Sequence, residues 1–337
     1  MPLQRNIEIW LKGSIGTVIL HVVPRTRNGR LTPRQTRRER RPMKTVRAFW
    51  LILLLVLAGP AHAYQSRVVT IPSATMQESF RATVVLPDDY AHGNRNERFP
   101  AVYVLHGSGG NHADWTENTR IGDLADRYHV ILVMPDGGRE SWYIDSPFDS
   151  GSRYETYVGK EVVSYIDAHF RTAATKHARA ITGLSMGGFG ALRIALDQPD
   201  TFGAVGSISG AVDPRACEDE PGIDHVFGDP VRHPSFWNRN AIVESVRRFA
   251  RAHVDLTIDC GVDDSFVTSN RTLHQRLVQL GVPHDYTERP GGHTWDYWAN
   301  AIQYQVLFFA TAFQRDGYAY RKHTEVASRT HAPTRAA

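Results

Sequence analysis

The residues best suited to chemistry in this chain surround Ser185, in a segment (residues 178–190) that reads ARAITGLSMGGFG. An apolar run typical of a strand precedes the serine, and a run with helical spacing follows it. Gly183 and Gly187 complete the pattern Gly-x-Ser-x-Gly, in which a sharp turn between strand and helix exposes the serine hydroxyl. Glycine has no Cβ, so strand and helix can approach closely there. The segment predicts a nucleophilic serine; the alternative is an ordinary glycine-rich turn.

Candidates for a base and an acid lie downstream, because a serine hydroxyl needs a base to take its proton and the base needs an orienting acid. His293 follows a Pro-Gly-Gly turn and precedes a long apolar helix pattern, so we assign it as the base among 16 histidines. Asp259, Asp263 and Asp264 lie in or just after the strand pattern 254–260. Spacing alone leaves all three open as the acid, and each has the alternative of a loop carboxylate or helix N-cap.

Two backbone N–H groups usually stabilise the oxyanion that forms during acyl transfer. One is the amide of Met186, which directly follows the serine. The second is expected after an earlier strand, and residues 99–110 read FPAVYVLHGSGG, a buried-strand pattern followed by a glycine-rich loop. We therefore assign the amide of Ser108 as the second donor; the alternative is a plain glycine turn.

Six segments in order resemble the esterase branch of the α/β-hydrolases, which includes S-formylglutathione hydrolases, tributyrin-type and feruloyl esterases, and mycolyltransferases of the antigen 85 type. The resemblance covers roughly residues 67–313. The segments are YVLHGSGG (103–110), SWYIDSP (141–147), YETYVGKEVVSYIDAHFRT (154–172), GLSMGGFGALRIAL (183–196), DCGVDDSF (259–266) and GGHTWDYW (291–298).

The resemblance implies a catalytic set for this sequence. It implies Ser185 as nucleophile, His293 as base, and the amides of Ser108 and Met186 as the oxyanion hole. In this family the acid stands two residues before a phenylalanine, which here selects Asp264, a choice that spacing left open. A hydrolase of this kind needs no cofactor, and no cysteine or histidine spacing indicates a metal site.

The predicted fold class is α/β. Strand patterns alternate with helix patterns along residues 64–314, which predicts an α/β-hydrolase domain with a mainly parallel sheet and helices on both faces. Residues 68–71 and 80–87 are predicted to form an early hairpin, 88–97 a polar loop, and 211–236 a long irregular insertion.

Charge is unevenly distributed along the 337 residues, whose formal net charge is +4. Residues 1–63 carry twelve basic and two acidic residues, which leaves −6 for residues 64–337. The basic excess therefore lies outside the predicted folded domain, which argues against a nucleic-acid partner. The expected partner is a small-molecule or carbohydrate ester, and the oligomeric state stays open.

The segment 43–63 reads MKTVRAFWLILLLVLAGPAHA and predicts a secretory signal. It has a basic start, an apolar run too short for a comfortable membrane span, and an Ala-x-Ala site that ends at Ala63. The predicted location is periplasmic or secreted; the alternative is an uncleaved anchor. Residues 1–42 are predicted to be untranslated or a disordered basic extension, and residues 315–337 a disordered polar tail.

Two cysteines and several aromatic residues complete the predictions. Cys217 and Cys260 would remain in the exported chain, where a disulfide is permitted, and their pairing stays open. The resemblance places a loop with Trp142, Tyr143 and Asp145 near the site, and a tryptophan flanks the base. These residues are predicted to bind substrate, with stacking of the aromatic rings on a sugar or a phenolic acid; the alternative is that they pack a lid and the last helix. Trp295 and Trp298 both flank the base, and the tryptophan predicted to bind substrate is Trp295.

The predicted function is a secreted serine esterase that cleaves short-chain or carbohydrate-linked acyl esters through an acyl-enzyme. Three alternatives stay open on the sequence. They are an acyltransferase that uses the same three side chains, a non-catalytic relative that binds carbohydrate, and a peptidase on the same scaffold.

Overall fold

A single eight-stranded sheet organises the part of the chain that the computed structural model describes, which is residues 64–218, 220 and 222–318. Its order is β1-β2-β4-β3-β5-β6-β7-β8. The strands are β1 (Gln65–Ser73), β2 (Glu78–Leu86), β3 (Ala101–Leu105), β4 (Ile131–Pro135), β5 (Arg179–Gly183), β6 (Ala204–Ile208), β7 (Asp255–Gly261) and β8 (Asp285–Arg289).

The sheet is mainly parallel, which confirms the predicted fold class. Strands β3 to β8 run parallel to one another, whereas β1 pairs with β2, and β2 with β4, in antiparallel register. The predicted early hairpin is therefore confirmed as β1 and β2. Since the carboxyl ends of parallel strands meet at one edge, the loops that leave β3, β5, β7 and β8 gather there.

Helices connect the strands and cover the sheet. Two predictions are corrected: a helix at Asp88–His92 lies in the predicted polar loop 88–97, and a helix at Ile223–Phe227 lies in the predicted irregular insertion 211–236. A helix of five residues makes less than two turns, which is too short to show the apolar spacing that marks a longer helix. The helices are α1 (Asp88–His92), α2 (Asp114–Asn118), α3 (Gly122–Tyr128), α4 (Tyr154–Thr156), α5 (Val163–His169), α6 (Met186–Asp197), α7 (Ile223–Phe227), α8 (Pro234–Asn240), α9 (Val246–Ala252), α10 (Val267–Gln279) and α11 (Trp295–Arg315).

Two apolar clusters lie on opposite faces of the sheet. Alternate residues of β3 divide between them, with Tyr103 and Leu105 in one cluster and Val102 and Val104 in the other. Helix α6 packs into the first cluster, and α11 packs into the second. All five residues of β3 are buried, as expected for a strand covered on both faces. The sheet therefore gives rigid support to the loops at its carboxyl edge.

The two cysteines are both buried and free, so the structure does not join them. Burial raises the pKa of the Cys217 thiol to about 12 and that of Cys260 well above its usual range. The predicted extension 1–42, the predicted signal 43–63 and residues 319–337 of the predicted tail lie outside the described residues. Residue 315 itself ends α11.

Candidate active site

Ser185 lies at the turn between β5 and α6, in a backbone conformation that L-residues rarely adopt. Its φ is +55° and its ψ is −120°. The surrounding backbone holds it there, since its N–H donates to the Ile208 carbonyl at 3.0 Å and its carbonyl accepts from the Phe189 amide at 3.1 Å. A residue in such a conformation lowers the stability of the folded state by about 1–3 kcal/mol, and residues of this kind cluster at functional sites. The turn presents the hydroxyl at the carboxyl edge of the sheet.

The two glycines of the Gly-x-Ser-x-Gly pattern are required by close backbone contacts. A Cβ at Gly183 would lie 2.6 Å from the carbonyl carbon of Gly187. A Cβ at Gly187 would lie 2.5 Å from the carbonyl oxygen of His106, at the end of β3. Since real Cβ atoms do not approach backbone so closely, any larger residue would move the strand or the helix that carries Ser185.

The structure brings Ser185, His293 and Asp264 into one hydrogen-bonded chain. His293 Nε2 lies 3.0 Å from Ser185 Oγ. On the other side of the ring, His293 Nδ1 lies 3.0 Å from Asp264 Oδ2 and 3.1 Å from Oδ1. The loop after β7 carries the aspartate, and the loop between β8 and α11 carries the histidine. In this arrangement the imidazole can accept the hydroxyl proton while the carboxylate holds its Nδ1–H.

Of the three aspartates left open by spacing, the structure places Asp264 against the histidine. Its side chain is buried, and Oδ1 also accepts from the Phe266 amide at 2.9 Å. Burial acts to raise the pKa of Asp264, but the hydrogen bonds from His293 and the Phe266 amide outweigh it and hold that pKa below its usual value. Asp263 is exposed, and Asp259 binds Arg289 instead.

The imidazole of His293 lies between two aromatic rings. The centroid of the Phe266 ring lies 5.1 Å from the centroid of the imidazole, and that of the Trp298 ring lies 4.9 Å from it. Both rings are nearly perpendicular to the imidazole. Edge-to-face contacts of this kind are favourable and restrict rotation of the ring. The contact with Phe266 was not predicted. The position of Phe266, two residues after Asp264, could have indicated that its ring lies near the histidine.

The amides of Ser108 and Met186 both belong to residues that line the cavity at Ser185. Within the described residues, neither N–H donates a hydrogen bond to a protein acceptor. Met186 is the first residue of α6, where the amide has no partner inside the helix. Two free backbone donors beside a serine hydroxyl can receive the charge of an oxyanion.

A buried histidine that the sequence analysis did not single out supports the loop of Ser108. His106 Nδ1 donates to the Gly107 carbonyl at 2.8 Å, and His106 Nε2 accepts from the Gly137 amide at 2.9 Å. This pair of bonds requires the neutral ring, and burial favours it by lowering the pKa of His106. Its position directly after a buried strand could have indicated from the sequence that His106 lies at the carboxyl edge of the sheet, near the site.

A cavity of about 590 Å³ opens beside Ser185, and it contains two of the four residues predicted to bind substrate. Trp142 and Trp295 line it. Tyr143 and Asp145 are not among the lining residues. The Tyr143 side chain is fully buried and its hydroxyl donates to the His106 carbonyl at 3.1 Å. Asp145 instead accepts from the amide and hydroxyl of Thr156, at 3.0 and 2.6 Å.

The loop conformation explains this division. Both Trp142 and Tyr143 have a left-handed φ of 52°, which turns the chain sharply between β4 and α4. One ring therefore faces the cavity, and the next packs beneath the loop against Gly137 and Gly190, where a Cβ would meet the tyrosine ring at 2.0 and 2.5 Å. A short sequence motif does not reveal that these two adjacent side chains point in different directions.

Two acidic residues that the sequence analysis did not predict also line the cavity, Asp114 and Glu220. Asp114 begins α2, in the connection that follows β3, and Glu220 lies in the insertion after β6. The described part of the chain contains no group of three or more His, Cys, Asp or Glu side chains that could hold a metal ion. It also contains no helix long and apolar enough to cross a membrane.

Comparison with known proteins agrees with this architecture. A family model described as "Putative esterase" matches residues 73–309. An acetyl esterase of Caldicellulosiruptor saccharolyticus is 29% identical over 228 residues, which is 62% of this chain and 84% of that protein. A diacylglycerol acyltransferase/mycolyltransferase Ag85A of Mycobacterium leprae is 25% identical over 305 residues, or 76% of this chain and 89% of that protein.

A solved structure of a ferulic acid esterase shares both sequence and fold with this chain. It superposes with a TM-score of 0.64 at 28% sequence identity and covers 74% of this chain and 99% of its own. The family model spans well over half of the chain, and the parallel sheet with its covering helices is the fold that these proteins share. The chain therefore belongs to the esterase family of the α/β-hydrolases and is a carboxylic ester hydrolase.

Proposed function

We propose that this enzyme cleaves acyl esters through a Ser-His-Asp triad and a covalent acyl-enzyme. The single observation that carries the proposal is the continuous chain of hydrogen bonds from Ser185 Oγ through His293 to Asp264. His293 Nε2 takes the hydroxyl proton as Ser185 Oγ attacks the ester carbonyl carbon. The same proton then passes to the departing alcohol as the carbon–oxygen bond of the ester breaks.

The second step returns the enzyme to its starting state. His293 takes a proton from water, whose oxygen attacks the acyl carbon, and the bond between that carbon and Ser185 Oγ breaks. The carboxylic acid leaves, and the serine oxygen recovers its proton from the imidazole. Through both steps, the Asp264 carboxylate stabilises the imidazolium without taking its proton.

We assign the oxyanion hole to the amides of Ser108 and Met186, which have no protein acceptor among the described residues and belong to residues that line the same cavity as Ser185. A Ser108→Pro variant lacks one of these N–H groups and is expected to lower kcat by about 10²- to 10³-fold. A Ser108→Ala variant keeps the N–H and serves as the matched control, with kcat near that of the wild type. Equal rates in the two variants, with circular dichroism unchanged, would contradict the assignment.

The substrates that this site fits best are short-chain or carbohydrate-linked acyl esters. A cavity of about 590 Å³ with Trp142 and Trp295 in its wall can hold a small acyl group and one sugar or phenolic ring. Relatives bear the names acetyl esterase and ferulic acid esterase, which supports both kinds of acyl group.

A panel of esters with product analysis tests this function. We expect release of free acid from p-nitrophenyl acetate and butyrate, and from at least one acetylated or feruloylated sugar, at rates proportional to enzyme concentration. The likeness to Ag85A favours transfer to a second alcohol as the alternative outcome, because an alcohol can replace water at the acyl-enzyme. Free acid should remain the main product when an acceptor sugar is added; an acylated sugar as main product would establish a transferase instead.

We further propose that the protein is exported and that its signal is cleaved after Ala63. The sequence of residues 43–63 supports this, with its basic start, short apolar run and Ala-x-Ala ending. N-terminal sequencing of the protein recovered from the periplasm or medium should begin at Tyr64. Recovery of the protein only in the cytoplasm would contradict export.

A further inference from the structure

The charged side chains that line the cavity give it a negative character. Asp114 and Glu220 both lie in its wall, whereas no lysine or arginine occurs among the described residues that line it. Neither carboxylate forms an ion pair with a lysine, arginine or histidine in the described part of the chain. A substrate that enters the cavity therefore meets two negative charges, and no lysine or arginine among the described lining residues offsets them.

Asp114 is held in place beside the loop that carries the Ser108 amide. Its Oδ1 accepts from the Asn111 side-chain amide at 3.0 Å. Its Oδ2 lies over Gly110, only 2.2 Å from where a Cβ of that residue would be. The side chain is half-buried, so its charge acts across a partly enclosed space rather than through bulk water. Glu220 is exposed and adds its charge at the rim of the cavity.

The aromatic residues of the wall add no positive charge. Trp142 and Trp295 both line the cavity, and an indole side chain is uncharged. Arg139 lies near Gly109 of this loop, and neither residue lines the cavity. Its guanidinium is 3.7 Å from the position that a Cβ on Gly109 would take.

We propose that Asp114 and Glu220 are specificity-determining residues that make this esterase select uncharged esters over esters that carry an anionic group. The inference rests on the proposed function, because it concerns the substrate of the same cavity. An anionic ester loses part of its hydration when it enters the cavity. It also meets like charges, with no lysine or arginine among the described lining residues to compensate them. An uncharged ester avoids this cost, and its hydroxyl or amide groups can donate hydrogen bonds to the same carboxylates.

Two nearly isosteric substrates test the inference, namely 4-acetoxybenzoate, which carries a carboxylate, and 4-acetoxybenzamide, which is neutral. The quantity measured is the ratio of kcat/KM for the benzoate to that for the benzamide. Comparing this ratio between enzyme variants cancels the intrinsic reactivity of each ester and any general loss of activity. We expect Asp114→Asn and Glu220→Gln each to raise the ratio about fivefold, and the double variant to raise it about twentyfold.

A matched control and a salt series separate charge from other effects. Glu117→Gln removes one charge from the same helix as Asp114 but lies outside the cavity, so its ratio should stay near the wild-type value. High salt should raise the wild-type ratio, since it screens the repulsion. An unchanged ratio in the double variant, or an equal rise in Glu117→Gln, would overturn the inference while hydrolysis of the benzamide ester still supported the proposed function. A wild-type enzyme that cleaves neither ester would instead overturn the proposed function, and this inference with it.

Discussion

Replacement of Ser185 by alanine should lower kcat for p-nitrophenyl acetate by about 10⁶-fold, to a rate indistinguishable from background. The reason is that the variant has no oxygen for the acyl group, while the rest of the site stays in place. The fold should persist, because among the described residues the hydroxyl makes one hydrogen bond, to His293, and the turn is held by backbone contacts. Initial rates and a thermal melt of the same sample measure both quantities.

The control for this variant is Ser66→Ala, which removes an exposed hydroxyl from β1, far along the chain from the site. It should keep wild-type activity. If Ser185→Ala retains a substantial part of the wild-type rate in a preparation free of other esterases, the serine is not the nucleophile, and the two-step mechanism must be abandoned.

The second large effect is expected for Asp264→Asn, which should lower kcat by about 10⁴-fold. The amide keeps the size of the side chain but cannot provide two acceptor oxygens to His293 Nδ1, so the ring loses the tautomer that leaves Nε2 free to accept the serine proton. The variant should also bind substrate normally, because the carboxylate lies behind the imidazole and does not line the cavity. The measurement is therefore kcat and KM determined separately.

The neighbouring aspartate offers a matched control. Asp263→Asn makes the same chemical change one residue earlier, at an exposed side chain that forms no hydrogen bond with the histidine in the described part of the chain. Its kcat should stay within a fewfold of the wild type. A large loss in Asp263→Asn together with near-normal activity in Asp264→Asn would show that the family pattern had been applied to the wrong residue.

The features that could be predicted from sequence are those encoded by short segments. The turn at Ser185 needs a strand, glycines at close backbone contacts and a helix, and all of these are adjacent along the chain. The hairpin of β1 and β2 and the parallel strands follow in the same way from apolar patterns. The resemblance to a family then selected Asp264, which local spacing did not distinguish from its neighbours.

The features that could not be predicted depend on contacts between distant segments or on the direction of single side chains. Tyr143 and Trp142 are adjacent and both aromatic, yet a left-handed turn places one beneath the loop and the other in the cavity. The Asp145 carboxylate accepts a hydrogen bond from the Thr156 hydroxyl in α4, so it is not among the residues that line the cavity. Asp114 and Glu220 lie 106 residues apart and in no motif, so only the folded chain reveals that they share a cavity.

The most direct test of the mechanism is to identify the residue that becomes covalently modified. The purified enzyme is treated with a fluorophosphonate, which reacts with activated serines, and is then digested and analysed by tandem mass spectrometry. The adduct should lie on Ser185, appear in step with the loss of esterase activity, and be absent when His293→Ala is treated in the same way. A stoichiometric adduct on another residue, or full loss of activity with Ser185 unmodified, would contradict the account.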